Sequence, residues 1–300
     1  LFNPTPHREV THMQEFDFAS PKTLDAACQL LAQTGGRVVA GGTDVIPRLQ
    51  RHMFPATTLV DISRLDALRF ITTEDNEIRI GALTTYAEML ESPLLQEEAP
   101  VLLEAARTVG CPQTRYRGTL GGNIANASPA GDTLPPLLVL NAEVKLVSAA
   151  GERVLPLSEV LLGPGQTAIR PDEVLHSVAF QRLEGPYGSA FFKLGKRKGM
   201  NIAVVSVAVL MRLVADGTIA GARVAFGSVA PTAVRSKHAE AVLNGERPTA
   251  EVFERAARAA LADISPISDV RSTAAYRRHA SMTLLRRALE TAAARAGGIL

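Results

Sequence analysis

Only two cysteines, Cys28 and Cys111, occur in the 300-residue chain. Two are too few for a disulfide framework or for the four thiolates of an iron–sulfur cluster, so any such cluster in an assembly must sit on another chain. A reducing compartment is the expected setting. Excess charge is equally scarce: 32 Lys plus Arg stand against 30 Asp plus Glu, which leaves no broad footprint for nucleic acid or an anionic membrane. No apolar run approaches the roughly 20 residues of a membrane-spanning helix. The opening from Leu1 to Gln14 is polar and has no signal-peptide core. No membrane insertion and a cytoplasmic location are therefore expected, with export alongside a folded partner as the alternative. The six histidines form no H-x-x-x-H pair, and there is neither a Walker A loop nor a serine in G-x-S-x-G. The loose G-x-G-x-x-A at Gly163 to Ala168 fails as a dinucleotide fingerprint, because Pro171 arrives before a helix can form.

What is present reads as a globular chain, 46% hydrophobic and 21% charged, long enough for two or three domains. From Phe16 to about Phe180, helical and strand patterns alternate, which favours an α/β region over a helical bundle. Ser20 and Pro21 suggest a helix start; Leu24, Ala27, Leu30 and Leu31 continue it until Gly35 and Gly36. A short strand at Arg37 to Ala40, a glycine turn and a short helix from Asp44 to Arg51 follow. Strands are expected at Thr58 to Ile62, Glu77 to Ile80 and Val144 to Val147, and helices at Tyr86 to Leu90 and Val101 to Val109. Gly118 to Ser128 is small, polar and aperiodic, the composition of a loop laid against a ligand.

Beyond Pro186 three strands are expected, at Ala190 to Leu194, Val204 to Val214 and Ile219 to Phe226, with an Asp216-Gly217 hairpin turn between the last two. Helices then open at Ser236, Thr249 and Thr273, each residue a candidate N-cap.

Two segments carry the chemistry. Ala40, Gly41, Gly42, Thr43 and Asp44 lie between a strand and a short helix, where unpaired N–H groups and minimal side chains let a pyrophosphate approach. Taken alone, this reads first as a tight turn with no ligand. Thr119, Leu120, Gly121, Gly122 and Asn123 supply a second small-residue turn, followed by Ser128 and Asp132. Two such segments can clamp one diphosphate from both sides. Lys193, Lys196, Arg197 and Lys198 form a basic cluster in which Lys193 and Arg197 are expected to share a strand face, while Lys196 and Lys198 read as solvated. The cluster lacks the interleaved aromatics of a nucleic-acid site.

These motifs, AGGTD at 40–44, RGTLGGNIANASPAGD at 117–132, FFKLGKRKGMNIA at 191–203 and AYRRH at 275–279, resemble in sequence and order the FAD-binding medium subunits of molybdenum hydroxylases. The resemblance runs from about Phe16 to Arg287. It implies an α+β protein: a two-subdomain α/β FAD-binding region of the PCMH type at 16–183, split near 70, after an N-terminal tail at 1–15. A smaller domain with a three-stranded antiparallel sheet and helices then occupies 184–300.

By the same resemblance, Ala40 to Asp44 and Thr119 to Asn123 hold the FAD pyrophosphate, and Ser128 and Asp132 lie beside the cofactor. Leu175, Lys193 and Ile202 surround the isoalloxazine, where a cation favours reduced flavin and aliphatic walls exclude water. No residue of this chain is assigned a catalytic or metal-ligating role. The partners implied are a small subunit with two [2Fe–2S] clusters and a large subunit with the molybdenum-pterin cofactor, in a dimer of heterotrimers that passes electrons to NAD or another acceptor. A self-sufficient FAD-dependent oxidoreductase of related fold and a non-catalytic scaffold subunit are the rival readings.

Overall fold

Ala27, Cys28 and Leu31 recur at helical spacing, and in the computed structural model they form the buried side of α1 (Leu24–Thr34). The structure describes residues 15–53, 58–185, 187–197 and 199–297, so the expected tail up to Gln14, together with Pro186 and Lys198, lies outside the described residues. The start of α1 differs from expectation. Its N-cap is Thr23, whose hydroxyl accepts from the Ala26 N–H, rather than Ser20 and Pro21. Gly35, at φ 59°, closes the helix in the left-handed conformation that glycine adopts without penalty. The helix packs beside a parallel sheet of β1 (Asp17–Ala19), β2 (Arg37–Val39) and β3 (Thr58–Asp61), in the order β1-β3-β2. Between β2 and β3 comes α2 (Val45–Gln50).

A second, antiparallel sheet follows: β4 (Ile71–Glu74), β5 (Glu77–Gly81), β6 (Glu143–Ser148), β7 (Gly151–Pro156) and β10 (Val174–Gln181), in the order β4-β5-β10-β6-β7. The chain between β5 and β6 makes six short helices: α3 (Tyr86–Glu91), α4 (Pro93–Glu98), α5 (Pro100–Thr108), α6 (Pro112–Arg117), α7 (Leu120–Asn126) and α8 (Leu134–Val139). Helix α9 (Leu157–Val160) and the small hairpin of β8 (Leu161–Gly163) and β9 (Gln166–Thr167) lead back to β10.

Helix α7 corrects the expectation of an aperiodic loop at 118–128. Two glycines in seven residues depress intrinsic helicity, but Thr119 caps the helix through the Gly122 N–H (3.1 Å), and Leu120 and Ile124 bury one face. Tertiary packing outweighs propensity here. Thr119→Ala is expected to cost about 1 kcal/mol, the usual worth of an N-cap, and a urea melt of the purified chain measures it.

The last domain is built on an antiparallel sheet of β11 (Tyr187–Leu194), β12 (Val205–Leu213), β13 (Ile219–Gly227) and β14 (Val234–Arg235). The three expected strands are present, and the two-residue β14 adds a fourth that is too short to show any periodicity. Along β12, alternate residues serve two cores. Val205, Val207, Val209 and Met211 face α10 (Lys237–Leu243), α11 (Ala250–Ala259) and α12 (Ala274–Arg295), while Ala208 and Leu210 join the core of the preceding domain. Burial on both faces explains why this strand reads as a near-continuous apolar run instead of an alternating one.

Thr249 and Thr273 cap their helices as expected, but the Ser236 hydroxyl donates instead to Asp263 (2.7 Å). Arg277, buried in α12, donates to the carbonyls of Val204 (2.7 Å) and Ser228 (2.8 Å) and to Asp269 (2.8 Å). Burial alone would raise the Asp269 carboxyl, yet the Arg271 and Ser272 N–H groups and the Arg277 guanidinium hold it well below the usual carboxylate range.

Candidate functional site

Gly41 and Arg117 lie in van der Waals conflict for any side chain: a Cβ on Gly41 would sit 1.7 Å from the Arg117 carbonyl oxygen. The first glycine segment thus touches the chain two residues before Thr119. Arg48, from α2, reinforces the contact, its Nη1 donating to Asp44 of the first segment (3.3 Å) and to Asn126 at the end of α7 (3.0 Å). The second segment is seated against the residues that follow β5. Leu120 N–H donates to Thr84 (3.0 Å) and Gly121 N–H to Ala82 (3.0 Å), and a Cβ on Gly121 would meet the Ala82 Cβ at 2.7 Å. Thr85 opens α3 with a capping box to Glu88, whose carboxylate also pairs with Arg69 (3.1 Å).

Two adjoining open cavities lie at this contact. One, of about 430 Å³, is lined by Ala40, Gly41 and Thr119 with Asp61, Ser63 and Arg117 among its walls. The other, of about 480 Å³, runs along Gly41, Gly42 and Thr43 and shares Asp61, Ser63 and Arg117. Gly42 holds φ 72°, and a Cβ there would meet only Ile46. Exposed Gly122 would similarly meet only the Thr119 hydroxyl, although the N–H groups of Leu120 to Asn123 are already engaged by Thr84, Ala82 and Thr119.

A buried polar cluster adjoins the end of the second segment. Asn123 accepts from the Thr133 hydroxyl (2.7 Å), and next to it Asp132 pairs with Lys193 at 2.5 Å. Lys193 reaches across from β11, on the same face as Phe191, and also donates to the Thr108 carbonyl (3.2 Å). Burial pushes the Asp132 carboxyl up to about 6, although Lys193 and Thr108 pull the other way. Tyr86 is pushed up as well, by burial and by the charge of Asp132. One oxygen of Asp132, Oδ1, is buried with no hydrogen-bond partner. Such an orphan is costly unless a ligand satisfies it.

The structure therefore brings the two glycine segments together and pairs Asp132 with Lys193 behind the second of them, while Ser128, Asp132 and Lys193 line neither cavity. The Ser128 hydroxyl receives the Ala130 N–H (3.3 Å), which shapes the turn leading to Asp132. Leu175 lies elsewhere, buried in β10 opposite Leu146, and Ile202 is half exposed on the loop after β11; neither lines the two cavities. Arg197 does not share a strand face with Lys193, because β11 ends at Leu194 and the Arg197 guanidinium turns back onto the Met200 carbonyl. Asp61, Ser63, Arg64 and Arg69 entered no sequence argument, since only the end of β3 and the segment leading from it to β4 bring them to the cavity. Arg117 stood within the RGTLGGN motif and carried the signal of its position there.

A family model described as the FAD binding domain in molybdopterin dehydrogenase matches residues 14–180, and the CO dehydrogenase flavoprotein C-terminal domain matches residues 190–292. The xanthine dehydrogenase FAD-binding subunit of Escherichia coli O157:H7 is 36% identical over 293 residues, covering 95% of this chain and 99% of that one. The carbon monoxide dehydrogenase medium chain of Hydrogenophaga pseudoflava is 34% identical over 282 residues, covering 93% and 98%. Among solved structures, carbon monoxide dehydrogenase from Hydrogenophaga pseudoflava superposes with TM-score 0.91 at 34% identity, over 95% of this chain and 99% of that one. Quinoline 2-oxidoreductase from Pseudomonas putida 86 gives 0.90 at 26% identity, over 95% and 99%. With both domains matched and a fold of paired glycine segments around shared cavities, the chain belongs to the FAD-binding medium subunits of the molybdenum hydroxylases.

Proposed function

We propose that this chain carries FAD between its two glycine segments and serves as the electron-transfer subunit of a molybdenum hydroxylase. In this reading it takes electrons from [2Fe–2S] clusters on a small partner, beside a large molybdenum-pterin subunit, and delivers them to NAD or another acceptor in a dimer of heterotrimers. One observation carries the reading: segments about 80 residues apart in sequence meet at Gly41 and Arg117, and Ala40, Gly41 and Thr119 line one cavity. FAD, when bound, supplies the ability to exchange electrons singly on one side and in pairs on the other.

The chain's own residues hold and orient. Ala40 to Asp44 offer backbone N–H groups to the pyrophosphate, and Thr119 to Asn123, whose N–H groups from Leu120 onward are engaged by the protein, offer a close approach at exposed Gly122. Asp132 and Lys193, buried together, offer an acceptor and a donor fixed at the domain seam. Leu175 and Ile202 remain proposed aliphatic walls for the ring system. Among the described residues no helix is long and apolar enough to cross a membrane. The cytoplasmic placement rests on the low cysteine count.

The test is reconstitution. The full-length chain, freed of cofactor and mixed with FAD, should recover a protein-bound flavin absorbance band at one flavin per chain. A chain that takes up none would support the scaffold reading instead.

A further inference from the structure

On the reading that FAD fills these cavities, its phosphates need a counter-charge. A pyrophosphate brings two negative charges out of water, and neutral N–H groups alone compensate them incompletely. The helices behind the glycine segments, α2 and α7, have six and seven residues and add little dipole. Side chains must supply the rest.

The cationic side chains lining the two cavities are Arg64, Arg69 and Arg117. Arg69 is committed elsewhere, with Nη1 on both carboxylate oxygens of Glu88 (3.1 and 3.2 Å) and Nη2 toward the Ser63 carbonyl (3.4 Å). The facing carboxylate of Asp61 is partly engaged by the Ser63 N–H (2.9 Å). Among the described residues the guanidinium groups of Arg64 and Arg117 make no hydrogen bond or ion pair. Of the three, Arg117 alone lines both cavities, and its carbonyl, against Gly41, anchors it where the segments touch.

We propose that Arg117 is the diphosphate clamp of this site, with Arg64 as a weaker second cation on the wall of the cavity beside Thr119. A guanidinium suits the task because its planar fork presents paired donors to phosphate oxygens and stays charged at any working pH. Both arginines are exposed, so their replacement leaves the core intact.

The experiment titrates the cofactor-free full-length chain with FAD, and separately with ADP, by calorimetry at low and high ionic strength. Wild type should bind both ligands more weakly as salt rises. Arg117→Met should weaken both by about tenfold to hundredfold, the worth of a charge-assisted hydrogen bond, and flatten the salt dependence, with the melting temperature of the cofactor-free chain unchanged. Arg117→Lys should recover part of the affinity, and Arg64→Met should act in the same direction but less.

FAD and ADP affinities of Arg117→Met equal to wild type, or a loss with undiminished salt dependence, would overturn the clamp while leaving the flavin reading standing. Failure of the wild-type chain to bind FAD at all would sink that reading, and the clamp with it.

Discussion

Gly41→Val is expected to yield a protein that carries no flavin and melts at a lower temperature than the parent. The Arg117 carbonyl oxygen lies 1.7 Å from where the new Cβ must sit, and the obstacle is backbone, which no rotamer change removes. Ordinary overpacking costs about 1–3 kcal/mol. Here relief requires the two segments to separate, so the loss of stability should exceed about 3 kcal/mol, and a site whose walls have moved apart should no longer retain flavin. Gly221→Ala serves as the control, because a Cβ at Gly221 meets nothing within 4 Å. The ratio of flavin to protein absorbance after purification, with a calorimetric melt of each variant, checks the prediction. A full flavin complement in Gly41→Val would mean that the contact between segments is irrelevant to the cofactor.

How far the sequence foretells this site depends on the range of the interaction involved. AGGTD was legible because strand, glycine pair and helix are adjacent, and β2, the turn and α2 follow in that order. The long strands of the last domain were legible from near-continuous apolar runs such as Val204 to Val214. Helix α7 was not, because its two glycines speak against a helix, and the forces that make it one come from Ala82 and Thr84, some 40 residues away. Asp132 and Lys193 were each placed near the cofactor, yet nothing in either local pattern says that one is the other's counter-ion. That pairing exists only because β11 packs against α5 and the turn before α8. The arginines and Asp61 lining the cavity are a product of topology in the same way, with Arg117 the exception, since it sits inside a recognisable motif.

The buried pair makes a pH prediction whose sign is fixed by burial. Asp132 ionises at an ordinary value of 3.8 when unfolded and at about 6 when folded, because desolvation outweighs the help of Lys193 and Thr108. Between those values the folded chain keeps a proton that the unfolded chain has released. The Asp132 contribution to stability is therefore fully present below about pH 4, falls as pH rises toward 6 and is flat above.

Asp132→Asn copies the protonated shape and cannot ionise, so it lacks this slope. The stability of wild type relative to Asp132→Asn should then decline by roughly 3 kcal/mol from pH 3 to pH 7, at about 1.36 kcal/mol for each tenfold difference in acidity between the folded and unfolded carboxyl. Lys193 and Tyr86 face the carboxyl in wild type and a neutral amide in the variant, while titrating groups away from position 132 cancel in the comparison at each pH. Chemical denaturation of the two cofactor-free chains across this range measures the difference. Were wild type to gain on the variant as pH rises, the Lys193 ammonium would outweigh burial, and Asp132 would be a firmly ionised anchor instead of a carboxyl poised near neutrality beside the proposed flavin site.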